Sequence, residues 1–124
     1  MTLQISPEQM KKYKQTALSR LPQSETEMKQ RRESAWPFAR QAAALLKHEF
    51  RAKRVVVYGS LAHGAWFYIN SDIDLMAEGI APQQYWQALG KLEELNSPFA
   101  INLITNDSLS DRLADEIERY GIEL

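Results

Sequence analysis

The sequence predicts a mixed α/β (α+β) domain, with one small sheet flanked by helices and preceded by an N-terminal helical extension. Three observations carry that reading. The chain has 124 residues, the size of one ordinary domain. It is 44% hydrophobic and 25% charged, the balance of a chain that folds. Apolar residues at three- and four-residue spacing give way at Val55 to a continuous β-branched run, the change of period expected where helix passes to strand.

Ser6-Pro7-Glu8 supplies an N-cap, a proline at the first helical position and an acid in the first turn, so a helix is expected from here to about Arg20. Its apolar stripe of Met10, Tyr13, Ala17 and Leu21 is narrow, and such a helix needs a partner to stay folded. Ser24 and Glu27 are spaced as a capping box and open a second helix toward Phe50. Pro37 interrupts that stretch, which predicts a kink or break near Ala35-Trp36, with Ser34 capping the second piece. Beyond it Trp36, Ala39, Ala43, Leu46 and Phe50 form an apolar stripe suited to packing on a sheet.

Val55-Val56-Val57-Tyr58 reads as a buried strand that stops at Gly59, and Ile73 to Met76 as a second. Tyr85 to Leu95 has a helical composition. Phe99 to Ile104 is a third strand with one polar residue inside, and Asp107 to Tyr120 is a closing helix that stops at Gly121. No internal repeat, low-complexity segment or linker is visible.

The absence of cysteine excludes a disulfide framework, a thiolate zinc site and a cysteine nucleophile, and two histidines 15 residues apart do not suggest a histidine-rich metal site. The first residues lack the apolar core of a signal peptide, and no apolar run is long enough to span a bilayer, so a soluble, cytoplasmic protein is expected. The net charge of −1 hides a polarity. Residues 1 to 54 carry 12 Lys/Arg against 5 Asp/Glu, and residues 55 to 124 carry 3 against 11. The basic half is either a pair of solvated helices or a surface for an acidic partner.

The stretch richest in chemistry is VVVYGSLAHGAWFYINSDIDL, Val55 to Leu75. Gly59 lets the backbone approach a ligand without a Cβ in the way, and Ser60 adds a hydroxyl where a helical turn through His63 begins; exposed N–H groups there can hold a phosphate. Asp72 and Asp74 lie two apart on a strand, so both carboxylates share one face and offer hard oxygen ligands suited to Mg²⁺. A divalent ion between such carboxylates and a nucleoside triphosphate permits phosphoryl transfer. Either half alone is commonly just a turn or a pair of solvent-facing acids; the combination of strand, Gly-Ser, an 11-residue gap and Asp-Ile-Asp-Leu is far more specific. His63 is read either as a phosphate or acceptor contact or as an exposed turn residue, and His48 as structural. Trp66, Phe67 and Tyr68 either stack on a base or cover the core.

With GSLAHG followed by SDIDL, the sequence resembles the DNA polymerase β-like nucleotidyltransferase superfamily, and most closely its minimal nucleotidyltransferases, best defined by the MntA-like antitoxins paired with HEPN-domain toxins. INLI and the ending IERYGIEL look like the last core strand and closing helix of that family, and the likeness covers roughly residues 36 to 124. It implies one minimal nucleotidyltransferase domain over 1–124, with 1–35 as a helical extension and 36–124 as the core around a small mixed sheet. It also implies Mg²⁺-dependent transfer of AMP from ATP to a tyrosine of a HEPN toxin. By the same likeness Gly59 and Ser60 hold the triphosphate and Asp72 and Asp74 ligate Mg²⁺. The third catalytic position, commonly a carboxylate, is Asn102 here.

An amide is neither an anionic ligand nor a base, so by the usual magnitude of general-base catalysis about 10² to 10⁴-fold in rate is at stake. Asp107 and Glu78 are candidate substitutes. The enzyme reading therefore stands beside that of a weakly active or inactive antitoxin that neutralises its partner by binding. The chain is too short for a separate acceptor-binding domain, which makes a protein partner the expected one, with the basic N-terminal helices as the first contact to consider and self-association as the second. Nucleic-acid binding ranks last, because no nucleic-acid-reading motif accompanies the charge.

Overall fold

The computed structural model describes residues 25–64 and 71–124. The expected first helix from Ser6 to Arg20 and the aromatic run Trp66 to Tyr68 lie outside them. The described elements are helix α1 (Glu25–Phe50), strand β1 (Arg54–Tyr58), a one-turn helix α2 (Gly59–His63), β2 (Ile73–Glu78), α3 (Tyr85–Glu93), β3 (Ile101–Thr105), α4 (Asp111–Tyr120) and a two-residue β4 (Ile122–Glu123). The fold is α+β, as the patterning predicts.

The strand order is β3-β2-β1-β4. β1 runs antiparallel to β2, with Tyr58 opposite Asp74, and β2 runs parallel to β3, with Asp74 opposite Asn102. The parallel pair needs a crossover, which α3 provides. β4, not foreseen from the sequence, pairs antiparallel with β1 through Val57 and Ile122. Two residues carry no readable period, and this strand exists only because Gly121 ends α4 beside β1.

Alternation along the strands gives the sheet two covered faces. Val55, Val57, Ile73, Leu75, Ala77 and Leu103 face the larger core with Ala35, Ala39, Ala42, Leu46, Phe50, Ala88 and Leu92 of α1 and α3. Val56 and Met76 turn the other way, onto Ile117 of α4. The alanines of α1 let it approach the sheet closely, while Leu46 and Phe50 fill the volume at its C-terminal end. Arg51 then takes the left-handed conformation at φ +59°, and the Ala52 amide closes the helix on the Leu46 carbonyl at 3.1 Å.

Of the expected kink or break, the break does not occur: α1 continues through Pro37 for 26 residues. Ser34 caps nothing; its hydroxyl donates back to the Arg31 carbonyl at 2.8 Å. Pro37 itself is exposed, whereas Ala35 and Ala39 on either side are fully buried. Packing of that face holds the helix together across a proline that removes one backbone hydrogen bond. α4 starts later than expected, after a 3₁₀ turn over Asn106–Ser108, because the Ser110 hydroxyl accepts from the Leu113 amide as its N-cap.

Because the proline is solvent-facing and costs the helix a hydrogen bond, Pro37→Ala is expected to stabilise the protein by about 1–3 kcal/mol. An upward shift of the urea midpoint with unchanged slope is the predicted readout.

Candidate functional site

Residues at one end of the sheet come from all three long strands. β1 ends there, while β2 and β3 begin there, so Tyr58, Asp74 and Asn102 stand side by side. Asp74 lies two residues before Met76, and Tyr58 two residues after Val56. Strand alternation therefore turns both toward the α4 face of the sheet.

At the end of β1 the chain turns sharply into α2. Gly59 has φ +71°, and a Cβ built on it would sit 2.5 Å from Asp74 Oδ2. Glycine is required twice over, by its dihedral and by the carboxylate against its backbone. No side chain caps the first turn of α2, so the amides that follow Tyr58 have no side-chain acceptor.

Asn102 Nδ2 donates to Asp72 Oδ2 at 3.0 Å and to Asp74 Oδ1 at 3.1 Å. One amide thus clasps both carboxylates, with its partly positive NH₂ group directed between them. The five residues selected from the sequence, Gly59, Ser60, Asp72, Asp74 and Asn102, are brought to one end of the sheet. The two suggested substitutes for a third carboxylate are not. Glu78 is at the opposite end of β2, four residues or roughly 13 Å along the strand from Asp74. It is engaged there by Arg54 at 3.0 Å, which also holds Glu123 at 2.7 Å. Asp107 follows the C-terminal end of β3. His48 is exposed on α1, away from this end of the sheet.

Burial is the main influence raising the Asp74 pKa; the Asn102 hydrogen bond opposes it, and the negative charges of Asp72 and Glu116 add to it. Tyr58 is pushed up to about 12, first by burial and then by the Asp74 and Glu116 carboxylates, so its phenol stays protonated at neutral pH. Glu116, on α4, was not singled out from the sequence. Its carboxylate lies 3.7 Å from His63 Nε2, and the His63 ring stacks on Tyr120 at a centroid distance of 4.6 Å. Nothing in the sequence near the Gly-Ser or Asp-Ile-Asp motifs marks this residue; only the docking of α4 brings it in.

Two anionic oxygens, on Asp72 and Asp74, converge on the small positive pole of one amide, and hard carboxylate oxygens are what Mg²⁺ takes. Asp72 and Asp74 fit as ligands, with Asn102 able to turn its carbonyl oxygen inward. Among the described residues no cluster of three or more His, Cys, Asp or Glu side chains forms a candidate metal site.

No protein-family model and no curated protein matches the sequence. Solved structures do match. One is a mutant of the MntA-HpeT toxin–antitoxin, 18% identical, with a TM-score of 0.56 over 68% of this chain and 69% of that one. A second is a toxin–antitoxin with AMP-PNP, 21% identical, with a TM-score of 0.53 over 67% and 69%. A third is a tri-AMPylated Shewanella oneidensis HEPN toxin in complex with MNT antitoxin, 18% identical, with a TM-score of 0.51 over 71% and 69%. At these identities the likeness is one of fold: this chain shares the fold of a chain in these toxin–antitoxin structures.

Two outcomes follow from the geometry. Gly59→Ala forces an L side chain into a left-handed conformation against Asp74 and is expected to destabilise by about 1–2 kcal/mol, read from the urea midpoint. Asp74 has a raised folded-state pKa, so the stability linked to its protonation is present below its unfolded value of 3.8 and is lost as pH rises through the folded value. Asp74→Asn is therefore expected to raise the thermal midpoint at pH 7 in chelator-treated buffer, an advantage that disappears toward pH 3.

Proposed function

We propose that this chain is a Mg²⁺-dependent nucleotidyltransferase that moves AMP from ATP to a tyrosine of a HEPN-type toxin and so acts as its antitoxin. The observation that carries this reading is the convergence of an uncapped glycine turn with an Asp-Ile-Asp pair whose second carboxylate lies against that turn. Fold neighbours that include an AMP-PNP complex and an AMPylated HEPN toxin complex support it.

In this reading the Gly59-Ser60 turn holds the triphosphate through backbone amides and the Ser60 hydroxyl. Asp72 and Asp74 hold Mg²⁺, which when bound offsets the charge of the phosphates. Asp74, with burial and two neighbouring carboxylates working against its ionised form, gains most from a cation. Tyr58 stands opposite Asp74 in the sheet as a protonated phenol and adds no charge of its own to the site. A second reading, neutralisation by binding without turnover, is favoured by Asn102, whose amide already compensates the two carboxylates that would hold the metal.

The test is incubation of the chain with α-labelled ATP, Mg²⁺ and a HEPN-domain toxin. Transfer of label to the toxin, lost with Asp72→Asn and with Asp74→Asn, is the expected result. A stable complex formed without label transfer would instead establish the binding antitoxin.

A further inference from the structure

The β3 residue opposite Asp74 is an amide, Asn102, whose Nδ2 donates to Asp72 and Asp74, so this position offers no base to an acceptor hydroxyl. Among the described residues a second titratable cluster on this end of the molecule is His63, Glu116 and Tyr120. His63 is the last residue of α2, three positions after Ser60, and Glu116 and Tyr120 are one turn apart on α4, on the face turned to it. Glu116 Oε1 is 3.7 Å from His63 Nε2, and the Tyr120 ring packs against the imidazole. Both side chains are accessible, at 34% for His63 and 38% for Glu116, so an acceptor can reach them from solvent. The nearby surface hollow is lined by Ser110, Arg112, Leu113 and Glu116, next to the face that carries Asp74.

We propose that the His63 imidazole accepts the proton of the incoming hydroxyl and that Glu116 holds it for that task, the pair replacing the acid missing from position 102. The role rests on the nucleotidyltransferase reading above. A carboxylate beside one ring nitrogen orients the imidazole and leaves the other nitrogen to face the acceptor, one of the arrangements in which histidine serves as base. In the step itself the acceptor oxygen attacks the α-phosphorus, forming a new P–O ester bond. The bond from that phosphorus to the bridging oxygen of the β-phosphate breaks, pyrophosphate departs with its electron pair, and the hydroxyl proton passes to His63. Glu116 is also among the negative charges that act on Asp74 and Tyr58. His63 is thus the catalytic residue, and Glu116 a positioning residue that acts through it.

The experiment compares His63→Gln, Glu116→Gln, Glu116→Asp and the double variant Glu116→Gln/Asn102→Asp in label transfer from ATP to the HEPN-domain toxin, with ATP affinity measured separately by calorimetry. Expected is a fall in kcat of about 10² to 10⁴-fold for His63→Gln and for Glu116→Gln, with ATP affinity and KM for ATP within about twofold of wild type. Glu116→Asp is expected to keep most of the rate, and Asn102→Asp to restore about tenfold or more in the Glu116→Gln background by supplying the absent carboxylate. Wild-type rates for either Gln variant would overturn this role while leaving the transferase intact. Loss of ATP affinity in step with rate, or a loss that neither Glu116→Asp nor Asn102→Asp repairs, would assign the pair to structure instead. Absence of transfer by the wild-type chain would remove the proposed role and the transferase reading together.

Discussion

The whole site depends on one steric condition: the backbone at the end of β1 lies directly against the Asp74 carboxylate, with no room for a β-carbon at position 59. That contact joins the turn that begins α2 to the strand that carries the acidic pair. It sets where the uncapped amides stand relative to the carboxylates, and sheet register then fixes Asn102 opposite Asp74. A shift of one residue in the β1–β2 pairing would turn Asp74 into the apolar core, so the valine and leucine packing on the larger face keeps the polar end in register.

The two ends of the sheet are used differently. At the far end Arg54 bridges Glu78 of β2 and Glu123 of β4, tying three strands together with charges that compensate one another. At the near end carboxylates accumulate with only an amide between them, an arrangement that costs stability unless a cation or a ligand relieves it. The first joins charges of opposite sign, and the second gathers charges of one sign.

The fold class, the three main strands and the close pairing of the two motifs were legible in the sequence, because each rests on local pattern: a β-branched run ending at glycine, two aspartates two residues apart, and a helix ending at Gly121. What was not legible is set by packing. Pro37 marks a break only if nothing holds the helix around it, and the alanine face of α1 does so. Asp107 and Glu78 looked like nearby acids along the chain but belong to the other end of the strands. Glu116 looked like one more acid in a charged closing helix; its nearness to His63 depends on how α4 lies across β1, which no spacing encodes.

β3 is the outer strand of the sheet, and its outward backbone groups include the Leu103 carbonyl, which accepts the Tyr85 hydroxyl at 2.6 Å. A phenol from the crossover helix thereby takes up one of the main-chain acceptors that an outer strand holds out to a foreign strand.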